Sequence, residues 1–373
     1  MAARRAALPL TGVQIAPSAL EPSPANWHIG PPNDPSGQFD APGPPRRRPR
    51  RLGTLLVTML VVAGASAAGV LVAANRRVDE IQRIVGLGAV LSPSNPNVEN
   101  YLLVGSDVRD CATTEQDSEG ICGADAPTDG GRSDTIMILR RDKTGGPISL
   151  MSLPRDLWLD IPGRDGPNRI NAAYRDGADV LIRTVTETLQ IPIHHYIEVN
   201  FEGFKTLVDA LGGVEICFDL PARDTHTGFY VAQPGCQVLD GVQGLAYARS
   251  RFYEEYVNGG WVADPRSDLS RIERQQKFIN IALQAAIATV KANPLKAGDV
   301  LGSSTTALRI DDGLDVLQAA AAIREAVGTG LQTYSPPVTG KTINGNAVLL
   351  PGDGFLNYIQ FFSGQSNTPP VPA

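Results

Sequence analysis

Short strand-like runs alternating with helical ones predict an α/β sandwich for most of this 373-residue chain. Two further observations bound that fold. A Pro- and Gly-dense N-terminal stretch cannot build a core, and a charge-free apolar segment of membrane length stands ahead of the alternating region.

Residues 1–51 include PSPANWHIGPPNDPSGQFDAPGPPRRRPRR, which is poor in branched apolar side chains and buries too little surface to offset its ordering entropy, so a disordered tail is expected. Residues 52–74, LGTLLVTMLVVAGASAAGVLVAA, carry no charge. As a helix they reach about 34 Å, enough for a hydrocarbon core of about 30 Å. A secretory signal would place a shorter apolar core nearer the N-terminus, so this segment is read as one transmembrane helix. Arg46, Arg47, Arg48, Arg50 and Arg51 precede it, whereas only Arg76 and Arg77 follow before Asp79 and Glu80. The denser basic side stays cytoplasmic, which puts the C-terminal bulk outside the cytoplasm on a single-pass anchor in the cell membrane.

Val78, Ile81, Ile84, Val85 and Leu87 fall at helical spacing, so residues 75–96 are expected to form a juxtamembrane helical stalk ended by Pro93 and Pro96. Strands are then expected at 101–104 (YLLV), 135–139 (TIMIL), 148–153 (ISLMSL), 196–199 (YIEV) and 214–218 (VEICF). Helices are expected near 177–189, near 201–210 before Gly212 and Gly213, from about the LDG at 239–241, and over 268–292. A helix over 311–327, a strand at 347–351, a short aromatic helix at 354–362 and a disordered tail over 363–373 complete the chain.

A net charge of −6 argues against a nucleic-acid partner, which calls for a basic face. No GxSxG, P-loop or HExxH occurs, which removes the commonest hydrolase, nucleotide-binding and zinc-protease readings. Cys111, Cys122, Cys217 and Cys236 form two sequence-local pairs without CxxC spacing or supporting His ligands. In an oxidising compartment they predict disulfides 111–122 and 217–236. His28, His194, His195 and His226 are read as structural or solvated.

Asp107 follows a strand-like run and Asp134 precedes one, and either alone reads as a turn residue or cap. Together they suit Mg²⁺, which takes one or two carboxylates, waters and substrate phosphate. Arg109, Arg132, Arg155, Arg249, Arg251, Arg271 and Arg274 supply the complementary charge, with Arg271 and Arg274 three apart on one helix face. Genomic base composition accounts equally well for a total of 27 Arg against 6 Lys, but not for this placement. Guanidinium forks match phosphate oxygens, and an arginine cluster without matching carboxylates needs an anion. The chemistry indicated is phosphoryl transfer by positioning and charge stabilisation, with no covalent nucleophile.

Seven ordered segments carry a family resemblance: NYLLVGSDVR at 100–109, RSDTIMIL at 132–139, SLPRDLWLDIPG at 152–163, RINAAY at 169–174, FEGFKTLVDALGGVEI at 201–216, LDGVQGLAYARSR at 239–251 and DLSRIERQQKFI at 268–279. They resemble the LytR-CpsA-Psr family of cell-wall glycopolymer phosphotransferases, over roughly residues 97–362. The resemblance implies a central mixed β-sheet flanked by helices, an α-β-α fold with an apolar pocket for a polyprenyl tail. It also implies transfer of a phosphoglycosyl polymer from a polyprenyl-pyrophosphate carrier to a peptidoglycan hydroxyl, that of C6 of N-acetylmuramic acid, assisted by Mg²⁺ (or Mn²⁺).

By the same resemblance, Asp107 and Asp134 match metal-associated aspartates. Arg132, Arg155, Arg249, Arg251, Arg271 and Arg274 match pyrophosphate contacts, with Arg109 and Asp268 as further candidates. Asp107, Asp134, Arg132 and Arg155 carry the expected catalysis. The insert CATTEQDSEGICGADAPTDGG between Asp107 and Asp134 departs from the shorter members. The tail and the Cys pairs look actinobacterial, which suggests arabinogalactan as the polymer, and the additional C-terminal domain of many such relatives is not expected. Two other functions fit the same residues: a pyrophosphatase acting on polyprenyl-pyrophosphate lipids, and a non-catalytic binder of polyprenyl phosphate or glycopolymer that reports on envelope state.

Overall fold

The computed structural model describes residues 79–106, 133–292, 302, 305, 308–327 and 330–372; the side chains of 134, 290, 291, 323 and 325–327 are not among those described. In chain order the strands are β1 (Gln82–Ile84), β2 (Val98–Ser106), β3 (Ser133–Asp142), β4 (Ile148–Leu153), β5 (Trp158–Asp160) and β6 (Pro167–Arg169). Helices α1 (Ile170–Asp176) and α2 (Ala178–Arg183) follow, the latter running into a π-helical turn at Thr184–Thr188. Next come β7 (His195–Asn200), α3 (Phe201–Ala210), β8 (Val214–Phe218), β9 (Ala222–Asp224), β10 (Phe229–Val231), β11 (Gly235–Leu239) and α4 (Gly241–Arg249). The hairpin β12 (Glu254–Val257) and β13 (Gly260–Ala263) precedes the long α5 (Asp268–Ala292). After it lie β14 (Leu308–Asp311), α6 (Val316–Val327), β15 (Leu331–Tyr334), β16 (Val338–Ile343), β17 (Asn346–Pro351) and α7 (Phe355–Phe362).

The central sheet runs β1-β14-β7-β2-β3-β4-β15 and is mixed. β2 pairs parallel to β7 and antiparallel to β3, while β15 joins β4 in parallel. Alternation along the strands sorts side chains to two faces. Leu102, Val104, Ile136, Ile138, Met151 and Leu153 meet α1, α2 and α7 on one face, and Tyr101, Met137, Leu139, Ile148 and Leu150 meet α5 and α6 on the other. Both faces of β4 are therefore covered, which is why all six residues of ISLMSL are buried. A third apolar cluster joins β8, β10, α4 and Phe278 of α5 beside the main sheet.

Helix starts follow local chemistry. Asn200 and Asp240 cap α3 and α4 by accepting the N–H groups of Gly203 and Gln243. Gly241 packs its Cα against the Lys205 backbone, where any Cβ would collide, so α3 and α4 cross at close range. The two-stranded β8–β11 ribbon carries Cys217 directly opposite Cys236, and these form a disulfide, as the sequence predicts.

The expected stalk is corrected. Residues 82–84 are a strand at the sheet edge, paired in parallel to β14, and Leu87–Ala89 form a 3-10 turn. Ile81 and Leu87 are buried in the two faces of the core, so the apolar spacing reflects packing onto the domain and not a free helix. The helix expected over 311–327 begins at Val316, because 308–311 are taken up as β14. Residues 363–372 carry no regular element. Among the described residues no helix is long and apolar enough to cross a membrane; residues 52–74 and the tail before them lie outside the described part.

Candidate functional site

Four chain crossings converge on one edge of the central sheet. β2 and β7 run in parallel and end together, with Ser106 opposite Asn200, and Ser106 also faces Ser133 at the start of β3. β4 runs antiparallel to β3 and leaves the sheet at the same edge, Leu153 lying opposite Ile136. Loops beyond the carboxyl ends of strands are where α/β sheets place ligands. Asp107 follows Ser106 in the chain, Asp134 is the second residue of β3, and Arg155 lies two residues past β4. Asp107, Arg109, Cys111, Cys122 and Arg132 lie outside the described residues, and Asp134 is placed by its backbone alone.

Arg155 reaches the first turn of α5. Its Nε lies 3.9 Å from Asp268 Oδ1 and 3.6 Å from Asp156 Oδ2. Arg271, 1% exposed, faces the same Asp268 from one turn along the helix, at 3.0 Å to Oδ1. Asp268 stands where the helix N-terminus favours a carboxylate, so it is stabilised by the macrodipole as well as by two guanidinium groups. Asp156 is shared in turn with Arg169, whose Nε sits 3.5 Å away and which also donates to the Ala347 carbonyl.

Arg274 lies one turn beyond Arg271 and points elsewhere. Its Nη2 donates to the Ser250 carbonyl at 2.6 Å, its Nη1 faces Asp264 at 3.3 Å, and its guanidinium lies 4.5 Å above the Tyr253 ring. Burial works against the charged form of Asp264, but donors that include the Arg266 N–H and Arg274 outweigh it and hold the carboxyl below its ordinary range. Burial pushes the Tyr253 hydroxyl up, and that of Tyr247 to about 12, so neither is a proton acceptor near neutrality. Arg249, at the end of α4, stacks over Phe201 at the start of α3, 4.3 Å from the ring centroid. Arg251 is partly exposed on the next loop. A cavity of about 290 Å³ lies here, lined by Tyr247, Tyr253, Asp264, Arg274 and Lys277 among others.

Two neighbouring glutamines fix α5 to its surroundings. Gln275 donates to the Thr135 hydroxyl at 2.9 Å and to the Ala248 carbonyl, while Gln276 donates to Ser152, Tyr334 and Ser335. Behind the edge, Glu198 is 1% exposed and accepts hydrogen bonds from Ser106, Tyr174, Tyr196 and Arg309. Four donors satisfy this buried carboxyl group, and their bonds fix the end of β2 from which Asp107 issues.

The structure thus brings Arg155 and Arg271 together through Asp268 and assigns Arg274 to a separate structural contact. It corrects the expectation of an arginine cluster lacking carboxylates: Asp156, Asp264 and Asp268 accompany it. Sequence reasoning ranked Asp268 low and passed over Asp156, Asp264, Arg169 and Gln275. The adjacency of Asp156 to Arg155 within SLPRD was a usable signal, whereas Asp264 and Arg169 meet their partners only through folding.

Comparison with known proteins bears on the family and the fold. A "Probable cell wall biosynthesis protein LcpB" of Corynebacterium glutamicum is 33% identical over 64% of this chain and 54% of its own length, so the chain spans about half of that relative. A "Polyisoprenyl-teichoic acid--peptidoglycan teichoic acid transferase TagU" of Oceanobacillus iheyensis is 32% identical over 70% of this chain and 73% of its own. Among solved structures, a "LytR-Csp2A-Psr enzyme" from Actinomyces oris superposes with a TM-score of 0.58, covering 76% of this chain and 96% of that one at 22% identity, a likeness of fold. The sequence model of the LytR_cpsA_psr family matches residues 65–357, and with the mixed sheet and the arginine-lined edge in place, the chain belongs to that family.

Proposed function

We propose that this chain transfers a phosphoglycosyl polymer from a polyprenyl-pyrophosphate carrier to a hydroxyl of peptidoglycan, outside the cytoplasm and anchored by residues 52–74. The observation that carries the reading is the Arg155–Asp268–Arg271 cluster at the sheet edge from which Asp107 issues. Arg155, partly exposed and held by Asp268, presents its fork to a diphosphate, while Arg271, 1% exposed, adds fixed positive charge behind it. The named activities of the relatives support a glycopolymer transferase.

Within this reading Arg155 receives the pyrophosphate, Arg155 and Arg271 stabilise charge on the transferred and leaving phosphates, and Asp268 positions them. The family resemblance assigns Arg132, Arg249 and Arg251 to the same diphosphate and calls for an apolar pocket for the polyprenyl tail. The family resemblance pairs Asp107 with Asp134, which follow the register partners Ser106 and Ser133 in the chain, and a pair of carboxylates suits Mg²⁺ or Mn²⁺. Such a cation supplies charge neutralisation at the phosphate oxygens when bound. Arabinogalactan is the first polymer to try.

The test is incubation of the full chain in detergent with a polyprenyl-pyrophosphate glycan, Mg²⁺ and peptidoglycan oligomers, with products read by mass spectrometry. A phosphodiester-linked adduct that disappears in Asp107→Ala and Arg155→Ala, both folded by circular dichroism, is the expected result. Free phosphoglycan alone replaces transfer with pyrophosphatase activity, and bound but unchanged lipid replaces it with non-catalytic binding.

A further inference from the structure

The segment that carries Arg155 is clamped from two sides. At the start of α1, the Ile170 N–H donates to the Leu157 carbonyl and the Asn171 N–H to that of Arg155, while on β17 the Leu349 N–H donates to the Asp156 carbonyl at 2.9 Å. Arg169 joins the two clamps. It closes β6 opposite Trp158 of β5 and immediately precedes α1, and its Nε and Nη2 donate to the Ala347 carbonyl of β17 at 3.2 and 2.9 Å. From there its Nε lies 3.5 Å from Asp156 Oδ1, and the other oxygen of that carboxylate lies 3.6 Å from Arg155 Nε. Five side chains therefore alternate in sign along one row: Arg169, Asp156, Arg155, Asp268 and Arg271.

From this row we infer that Arg169 is a positioning residue of the diphosphate site, acting through Asp156 to keep the charge of Arg155 available to the donor's pyrophosphate; the assignment rests on the transfer reading above and extends it to a residue outside the phosphate-contacting set. Both carboxylates approach Arg155 at the same atom, Nε, at 3.6 and 3.9 Å. One guanidinium between two carboxylates is over-neutralised and repels an incoming anion. Here each carboxylate is shared with an outer arginine, Asp268 with Arg271 and Asp156 with Arg169, so the row holds one more cation than anions. The two donor atoms that Arg169 commits to the Ala347 carbonyl fix its planar group on the β17 backbone. Its influence therefore passes through the charge on Asp156 and not through a fork offered to the substrate. Without it, Asp156 acts on Arg155 alone, and one unit of charge two side-chain contacts away from a phosphate in a partly exposed site changes binding about tenfold.

The experiment uses the full chain in detergent, with geranylgeranyl pyrophosphate as the binding probe and the polyprenyl-pyrophosphate glycan as substrate in the transfer assay. Isothermal titration calorimetry is run on the wild type, Arg169→Gln, Arg169→Lys and the double variant Arg169→Gln with Asp156→Asn, each checked for folding by circular dichroism. Kd for the probe is expected to rise about tenfold in Arg169→Gln and less in Arg169→Lys, and the loss should shrink at high salt. Removing the Asp156 charge as well should return Kd to within about threefold of wild type, a rescue that a mere brace for the fold would not show. In the transfer assay the donor KM should rise in Arg169→Gln while the acceptor KM stays within about twofold. If Arg169→Gln does not fold, Arg169→Lys with and without Asp156→Asn makes the same comparison. Unchanged Kd and donor KM overturn the inference and leave transfer intact. A rise that Asp156→Asn does not reverse also overturns it, since Arg169 then braces the fold or touches the lipid itself. Where no adduct forms but the probe's Kd rises and the double variant restores it, the role of Arg169 stands and the transfer reading falls. A wild type that does not bind the probe overturns the inference.

Discussion

Replacing Arg274 with glutamine tests whether this arginine serves the fold or the substrate. Its guanidinium is 8% exposed and joins three elements: the Ser250 carbonyl after α4, Asp264 after β13, and the Tyr253 ring before β12. A charge-assisted hydrogen bond contributes about 1.5–3 kcal/mol. A desolvated cation–π contact adds about 1–2 kcal/mol. Glutamine keeps part of one hydrogen bond and leaves Asp264 with fewer donors, so the expected loss is roughly 3–4 kcal/mol, a large share of a typical stability of about 5–15 kcal/mol. Urea unfolding of Arg274→Gln and Arg274→Lys, with m-values compared, measures it. Lysine retains the charge but not the planar fork and should recover less than half of the loss. A loss below about 1 kcal/mol for the glutamine variant, accompanied by a collapse of donor-lipid affinity, would refute the structural assignment and return Arg274 to the phosphate site.

Three further outcomes follow from the structure. Removing the Cys217–Cys236 bridge in a double alanine variant should cost roughly 3 kcal/mol, since it frees a loop with a sequence separation of 19; unchanged guanidinium unfolding sinks the expectation. Asp264 and Asp224 are both held below their ordinary value of 3.8 despite burial, so in the falling-pH direction the unfolded chain takes up protons first; the stability they confer is present above about pH 4 and lost as the pH falls through the depressed values. Asp264→Asn should flatten the acid limb of a stability-versus-pH curve, and a limb identical to wild type contradicts this. Gly241→Ala would set a Cβ 2.7 Å from Lys205 Cα, and because backbone cannot yield, α3 and α4 must part at a cost of about 1–3 kcal/mol, read as a drop in thermal midpoint.

The central strands were legible because their signal is local. ISLMSL and VEICF match β4 and β8 residue for residue, and α5 spans the same 268–292 as its amphipathic pattern. What escaped depends on partners far away in sequence. The run at 82–84 looked helical until β14, more than 200 residues later, offered it an edge to pair with. The hairpin β12–β13 and the short β9 and β10 carry few consecutive apolar residues and exist through one another. At the site, arginine positions were visible in the motifs, and so was the spacing of Asp268 and Arg271 three apart on one helix, but Asp264 meets Arg274 and Asp268 meets Arg155 only across loops. Glu198 reads as an ordinary strand-end charge until Ser106, Tyr174, Tyr196 and Arg309 close around it.

Gln275 and Gln276 have a mechanical consequence. Consecutive helix residues point about 100° apart. One of this pair grips Thr135 and Ala248, and the other grips Ser152, Tyr334 and Ser335. Any turn of α5 about its own axis, in either sense, must stretch one set of bonds before the other slackens, so the helix behaves as a keyed shaft seated against the sheet. Arg271 rides on that shaft one turn from the key. Amide protons in this stretch of α5 should then be among the slowest to exchange, and any opening of the domain must hinge elsewhere.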